Sequence, residues 1–174
     1  AVGVARMMAD FRGEARAAEE ADARRKLAAA LEERHAVALA NAVAKALAVA
    51  EQLDEWALAD DSGLEVEALD GAPGPLSARF GGPTLADAGR VAHLLSALNK
   101  SPQSSRIARF VCVAALVAPS GEQVVTRGEC SGRILASTRG TGGFGYDPIF
   151  LPDGFEQSMA EIDSRVKDRI SHRG

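Results

Sequence analysis

The stretch from Ala59 to Phe80, ADDSGLEVEALDGAPGPLSARF, sets two adjacent carboxylates against a Ser-Gly pair. Upstream, WALADDS reads as a short buried strand ending on Asp60 and Asp61. Downstream, LEVEAL alternates apolar and charged residues, the period of a half-buried strand. The Ser-Gly pair between them reads as a turn. Two readings suit the aspartates. One of them caps the turn through its own backbone, or the pair holds a hard cation at a strand end, where open α/β sheets place ligands. Adjacent strand side chains point to opposite faces, so only one of the two can enter a given cleft.

The rest of the chain supplies partners for these strands. The first part, to about Asp54, is rich in Ala, Glu and Arg, which are strong helix formers. It predicts one helix over Glu14–Glu33 and another over Val37–Leu53, the second with Val37, Leu39, Val43, Ala44, Leu47 and Ala50 on its apolar stripe. GAPGPLSARFGGP (71–83) predicts a loop. Thr84 is a candidate N-cap, with Asp87 in the first turn of a helix reaching about Leu98. NKSPQSS (99–105) predicts a polar connector. ARFVCVAALVA and EQVVTRGECSGRIL predict an antiparallel pair across the turn PSGE. A glycine-rich loop TRGTGGFGYDP, a short apolar IFL and a last helix over SMAEIDSRVKDRI follow. This pattern predicts a single α/β domain: a central twisted mixed sheet flanked by helices, two-lobed with a cleft between, and an N-terminal part that is atypically helical.

Composition narrows the function. The chain has 174 residues, 47% hydrophobic and 25% charged, with a formal net charge of −4. That suits one packed domain and argues against a non-specific nucleic-acid or membrane-surface binder, which needs a basic field. No stretch reads as a membrane span. The two cysteines, Cys112 and Cys130, lack the spacing of a zinc site or disulfide framework, so a reducing, cytoplasmic setting is expected.

Three further constellations bear chemistry. In GGFGYDP, Gly142 to Pro148, glycines permit close approach to a ligand, Phe144 and Tyr146 are able to flank a flat base, and Asp147 is able to orient a basic partner. A bulged loop with a core aromatic is the alternative. In KDRISHRG, Lys167 to Gly174, Lys suits a phosphate, Arg suits the O6 and N7 edge of a 6-oxopurine, and His172 adds a donor. A helix C-terminus that simply favours cations is the alternative there. In EERHAVALANAVAKA, Asn41 and Lys45 share a helix face, which alone reads as a solvated helix.

Taken together, ALADDSGLEVEALDGAPGPLSARF, RFVCV with GTGGFGYDPIFLPDG, and K-x-x-ISHRG resemble the inosine triphosphate pyrophosphatase family. The resemblance covers about Glu32 to Gly174. It implies Mg²⁺-dependent hydrolysis of ITP, dITP and XTP to the monophosphate and pyrophosphate, in a homodimer. It further implies that Asp61 is the catalytic and metal-associated aspartate and Glu33 a second carboxylate near the Mg²⁺. Ser62 would touch substrate. Phe144, Gly145, Tyr146 and Asp147 would form the base loop, and Lys167, His172 and Arg173 would read the base and close the site. Asp60 is expected to give structural support.

The departures are specific. The family opens with a strand running into [ST]-G-N-x-x-K, the triphosphate grip, and residues 1–31 contain no such motif. Residues 1–31 are therefore set apart as an atypical helical segment from the domain at 32–174. Ala40 stands where the family has Glu, and the matched sequence ends at SHRG. A catalytically impaired, purine-nucleotide-binding remnant is the alternative function.

Overall fold

The first fifty residues contain no proline and only two glycines, Gly3 and Gly13, so little in them stops a helical hydrogen-bond ladder. In the computed structural model, which describes residues 2–100 and 105–174 with side chains from residue 16 onward, they form one helix, α1 (Val2–Leu53). The two helices expected here are thus continuous, because Arg34, His35 and Ala36 offer no breaker. Asp54, in the left-handed conformation, ends the helix, and the Glu55 N–H bonds back to the Ala50 carbonyl at 3.3 Å. The buried face is Ala38, Ala42, Ala46 and Ala50, spaced by four, while Val37 and Val49 are exposed. Leu39, Val43, Leu47 and Ala50 of the expected stripe lie on or beside this face, whereas Val37 and Ala44 are exposed and Ala38, Ala42 and Ala46 make the closest approach to the sheet. By length and composition alone, Arg16–Leu53 is apolar enough to cross a membrane, which corrects the expectation of no such stretch.

The sheet has strands β1 (Ala57–Val66), β2 (Pro73–Gly74), β3 (Ile107–Val117), β4 (Gln123–Ile134) and β5 (Phe150–Pro152), in the order β2-β1-β3-β4-β5. Every pairing among the described residues is antiparallel, not mixed as expected. Helix α2 (Asp87–Asn99) leads into β3, which lies antiparallel to β1. The β3–β4 hairpin forms as expected. Residues 101–104 of the expected polar connector lie outside the described residues.

The decisive difference is at β1. Asp60-Asp61-Ser62-Gly63 does not turn; the strand runs through it and pairs with Val111–Ala114 of β3. Gly63 is required there for a different reason. A Cβ on it would lie 2.1 Å from the carbonyl oxygen of Gly74, so only glycine lets β2 cross. Alternation then separates two cores. Leu64 and Val66 join Leu94, Phe150, Ile149 and Met159 in one, and α1 packs its alanines on Val113, Ala115 and Val117 in the other.

The last helices are shorter than expected. Helix α2 begins at Asp87, and Ala86 rather than Thr84 is its N-cap residue, without a side-chain cap. Helix α3 spans Ser164–Ile170, capped by the Asp163 carboxylate, which accepts from the Arg165 N–H at 2.9 Å. The preceding Ser158 is fully buried and bonds the Arg139 carbonyl instead of starting a helix. Gly63→Ala should destabilise the fold by about 1–3 kcal/mol through overpacking, read as a lower urea midpoint. An unchanged midpoint would show that β2 does not need this crossing.

Candidate functional site

The alternation of β1 sends its two aspartates to opposite sides, and each meets its own cations. Asp60 faces the side of Ser62 and Leu64. Its Oδ2 accepts from Arg173 Nε at 3.0 Å and Nη2 at 2.8 Å, and from Ser62 Oγ at 2.6 Å. Burial acts to raise the Asp60 pKa, but the Ser62 hydrogen bond and the Arg173 charge outweigh it, so the carboxyl lies below its ordinary value. Asp61 faces α1. Its Oδ2 accepts from Asn41 Nδ2 at 2.9 Å and its Oδ1 pairs with Lys45 Nζ at 3.2 Å. Lys45 Nζ also donates to the Asp60 carbonyl at 2.5 Å. Asn41 and Lys45, which read as a solvated helix face, are in fact the partners of Asp61. Only the long-range fold reveals this.

On the Asp60 side lies a cavity of about 850 Å³. Ser62, Phe144, Gly145, Tyr146, Asp147, Lys167, His172 and Arg173 all line it, so the structure brings these sequence-predicted residues together. The loop is locked from within. Asp147 is buried, accepts from the Phe144 N–H at 2.8 Å and pairs with Lys167 Nζ. Gly143, at φ +71°, is needed because a Cβ there would strike the Asp147 carboxylate. Tyr146 is buried and donates to the Ser77 carbonyl at 2.9 Å; burial pushes its phenol up to about 12, so it stays a neutral donor. Phe144 is 65% exposed, with Lys167 Nζ 4.8 Å from its ring centroid. One aromatic face is thus presented to the cavity region rather than to the core.

The terminal SHRG docks on the sheet. His172 stacks on Phe110 with ring centroids 4.9 Å apart and an interplanar angle of 13°. Arg173 Nη1 lies 3.3 Å from His172 Nε2. A guanidinium only donates, so Nε2 accepts and the His172 proton resides on Nδ1. Nδ1 is buried with no hydrogen-bond partner among the described residues. Burial and then the Arg173 charge push the His172 pKa down to about 4.

The site also contains residues that motif reading missed. Asp87 and Arg90 of α2 line the cavity, and Ser77 holds the crossing: it donates to the Gly74 carbonyl at 2.6 Å and accepts from the Leu64 N–H at 2.8 Å. Asp87 has a sequence signal, an acidic first-turn residue, but nothing local ties it to the loop.

Glu33 is the residue not brought in. It is exposed on α1 and lines neither the large cavity nor the small groove at Asp61, which Arg34, His35, Ala38 and Glu65 share. Eight residues, about 12 Å of helix, separate it from Asn41. Among the described residues no three of His, Cys, Asp and Glu gather into a metal-holding group. Mg²⁺ commonly takes one or two carboxylates and completes its shell with phosphate oxygens and water. Asp61, partly exposed on the α1 side of β1, fits the single-carboxylate arrangement; Glu33 does not join it.

Comparison with known proteins gives a consistent result. The model of the Ham1 family matches residues 4–174. A dITP/XTP pyrophosphatase from Desulforamulus reducens is 53% identical over 134 residues, 77% of this chain and 67% of that protein. One from Gloeobacter violaceus is 48% identical over 145 residues, 83% of this chain and 72% of that protein. Among solved structures, a HAM1 protein from Coxiella burnetii superposes with a TM-score of 0.76 at 42% identity, covering 79% of this chain and 71% of that one. A nucleoside-triphosphatase, dITP/XTP pyrophosphatase, from Mycobacterium abscessus superposes with a TM-score of 0.68 at 44% identity, covering 78% of this chain and 69% of that one.

Protonation of His172 should cost stability. The imidazole titrates at 6.5 in the unfolded chain and about 4 when folded, so below 6.5 the unfolded state binds a proton that the native state refuses. Stability is therefore intact above 6.5 and falls as pH drops from 6.5 toward 4. Asp60, also depressed, adds a loss in the same direction at still lower pH. Thermal melts across this range should flatten in His172→Gln, and a His172 NMR titration centred near 6.5 would contradict the assignment.

Proposed function

This chain belongs to the Ham1 family, and from that premise we propose that it hydrolyses the deaminated purine nucleoside triphosphates ITP, dITP and XTP to the monophosphate and pyrophosphate. It is a hydrolase of phosphoanhydrides. The observation that carries the reading is the convergence of the FGYD loop, Lys167 and the SHRG tail, which are distant in sequence, on one cavity beside Ser62. A nucleotide-binding remnant without turnover is not favoured by relatives of this identity.

The two sides of β1 divide the work. The purine lies in the cavity against Phe144, with His172 and the Nη1 side of Arg173 toward its 6-oxo edge. Asp60 supports Arg173 rather than contacting the base. β2 pairs with β1 only at Leu64 and Glu65, so along Ala57–Gly63 the outer edge of β1 has no strand partner among the described residues. A phosphate chain leaving Ser62 passes over this open edge to Asp61 and Lys45. Phosphoryl transfer to water asks the protein mainly for positioning and charge neutralisation. Lys45 supplies charge at the phosphates and fixes Asp61 in place. Asn41 fixes the other carboxylate oxygen, so Asp61 is oriented to accept a proton from the attacking water.

A divalent cation, which we propose to be Mg²⁺, would be held by Asp61 together with substrate phosphates, and it would neutralise the charge that builds on the leaving pyrophosphate. Glu33 is proposed as its second carboxylate only if α1 shifts on binding. Buried free thiols at Cys112 and Cys130 fit a reducing compartment, and we place the protein in the cytoplasm. We further propose a homodimer. Leu58, Leu116 and Val124 form an exposed cross-strand apolar row suited to pairing two copies. Equilibrium sedimentation should give a dimer that Val124→Glu weakens; a monomeric wild-type chain would contradict this.

Pyrophosphate release should be seen with dITP and XTP plus Mg²⁺, far above ATP or GTP, and should stop with a chelator. Equal inactivity on all four nucleotides would refute the activity. Asp61→Asn should lower kcat by about 10²–10⁴-fold, the range for losing a general base. Near-normal turnover in that variant would refute the role of Asp61.

A further inference from the structure

The base platform has a second anchor that comes from outside its own motif. Phe144 is flanked by two left-handed glycines, Gly143 at φ +71° and Gly145 at φ +59°. Such a turn is conformationally permissive and needs external ties to hold one geometry. Packing does not provide them. The Phe144 ring is mostly exposed, and a Cβ built on Gly145 meets no atom within 4 Å. Hydrogen bonds do the holding, and one of them closes the turn itself, from the Asp147 N–H to the Phe144 carbonyl at 3.2 Å. The Phe144 N–H is gripped by Asp147, within the loop, at 2.8 Å. The next amide, the Gly145 N–H, is gripped by Asp87 Oδ2 at 2.7 Å, from helix α2 and 58 residues away in sequence.

Asp87 is free to make this bond. The N-terminus of α2 is capped without any side chain, so the carboxylate is not consumed by its own helix. Its other oxygen, Oδ1, lies 3.5 Å from Arg90 Nη2, one turn further along, and the Arg90 side chain is largely buried in the cavity wall. Arg90 therefore aims the carboxylate at the loop. An ionised acceptor facing a backbone N–H is among the stronger hydrogen bonds.

We propose that Asp87, oriented by Arg90, is a positioning residue that sets the Phe144–Gly145 turn and with it the face on which the purine stacks. The inference rests on the cavity being the base site. Asp87 touches no reacting atom, and the base is held equally in the ground and transition states. Loss of the anchor therefore removes uniform binding.

The test compares wild type, Asp87→Ala and Asp87→Asn. Asn keeps an acceptor for the Gly145 N–H; Ala has none. With dITP and Mg²⁺, Asp87→Ala should raise KM by about tenfold and leave kcat within about twofold, the pattern of lost uniform binding. Asp87→Asn should return KM to within about threefold of wild type, since the neutral acceptor restores most of the bond. Hydrogen exchange of the Gly145 amide, which needs no turnover, should quicken in Asp87→Ala by about tenfold or more and recover in Asp87→Asn. Should Asp87→Ala melt early, Asp87→Ser, one bond too short to reach the loop, takes its place. An unchanged KM with unchanged Gly145 exchange, or a fall in kcat at constant KM, overturns the proposal. If the wild-type chain does not turn over, the activity reading fails separately. The exchange result, with IMP affinity measured by calorimetry, then decides this one: slow exchange and undiminished IMP binding in Asp87→Ala would refute it.

Discussion

Two adjacent carboxylates on one strand must face opposite ways, and the site is organised around how each is neutralised. On one side Arg173 and Ser62 hold Asp60; on the other Lys45 and Asn41 hold Asp61. Two like charges one residue apart would otherwise repel across a thin strand. Apart from Ser62, on β1 itself, each partner comes from a distant element. The pair therefore ties α1 and the Arg173 segment to the same two residues of β1, Asp60 and Asp61. Lys45 fastens the two systems together, since its ammonium bonds both the Asp60 carbonyl and the Asp61 carboxylate.

In the proposed function this arrangement puts recognition and chemistry on opposite faces of one strand, a residue apart. The cavity and its aromatic platform lie on the Asp60 side, and the group proposed for proton abstraction lies on the other. The open edge of β1 joins them. Gly63 and the brief β2 crossing set where that edge begins, because Ser77 and the Gly74 carbonyl close the strand immediately beyond Ser62. The loop side is tied down, with Asp147, Lys167 and Asp87 all fixing backbone or ring. At the tail the Arg173 charge is balanced by Asp60.

Much of this was legible in the residues. The β3–β4 hairpin follows from long apolar runs around PSGE, and the meeting of ADDSG, FGYD and SHRG follows from their resemblance to one family. What failed to show was set by tertiary contacts or by misleading local chemistry. Ser62-Gly63 looks like a turn because Ser and Gly favour turns; here the glycine is demanded by a crossing backbone. Arg34 to Ala36 look like a junction between two periodic segments, yet nothing in them breaks a helix. Asn41 and Lys45 look solvated because their partner lies twenty or so residues ahead on a strand. Asp87 looks like an ordinary first-turn acid because the loop it grips is remote in sequence.

The central claim is that base and phosphates occupy opposite sides of β1. NMR mapping tests it most directly. Inosine, which carries the base without a phosphate, should perturb the amides of Phe144 and Gly145 and the Arg173 side chain while leaving the Asn41 side-chain amide in place. Pyrophosphate with Mg²⁺ should perturb Asn41 and Lys45 and spare Phe144. A response of Asn41 to the base alone, or identical perturbation sets for the two ligands, would contradict the account.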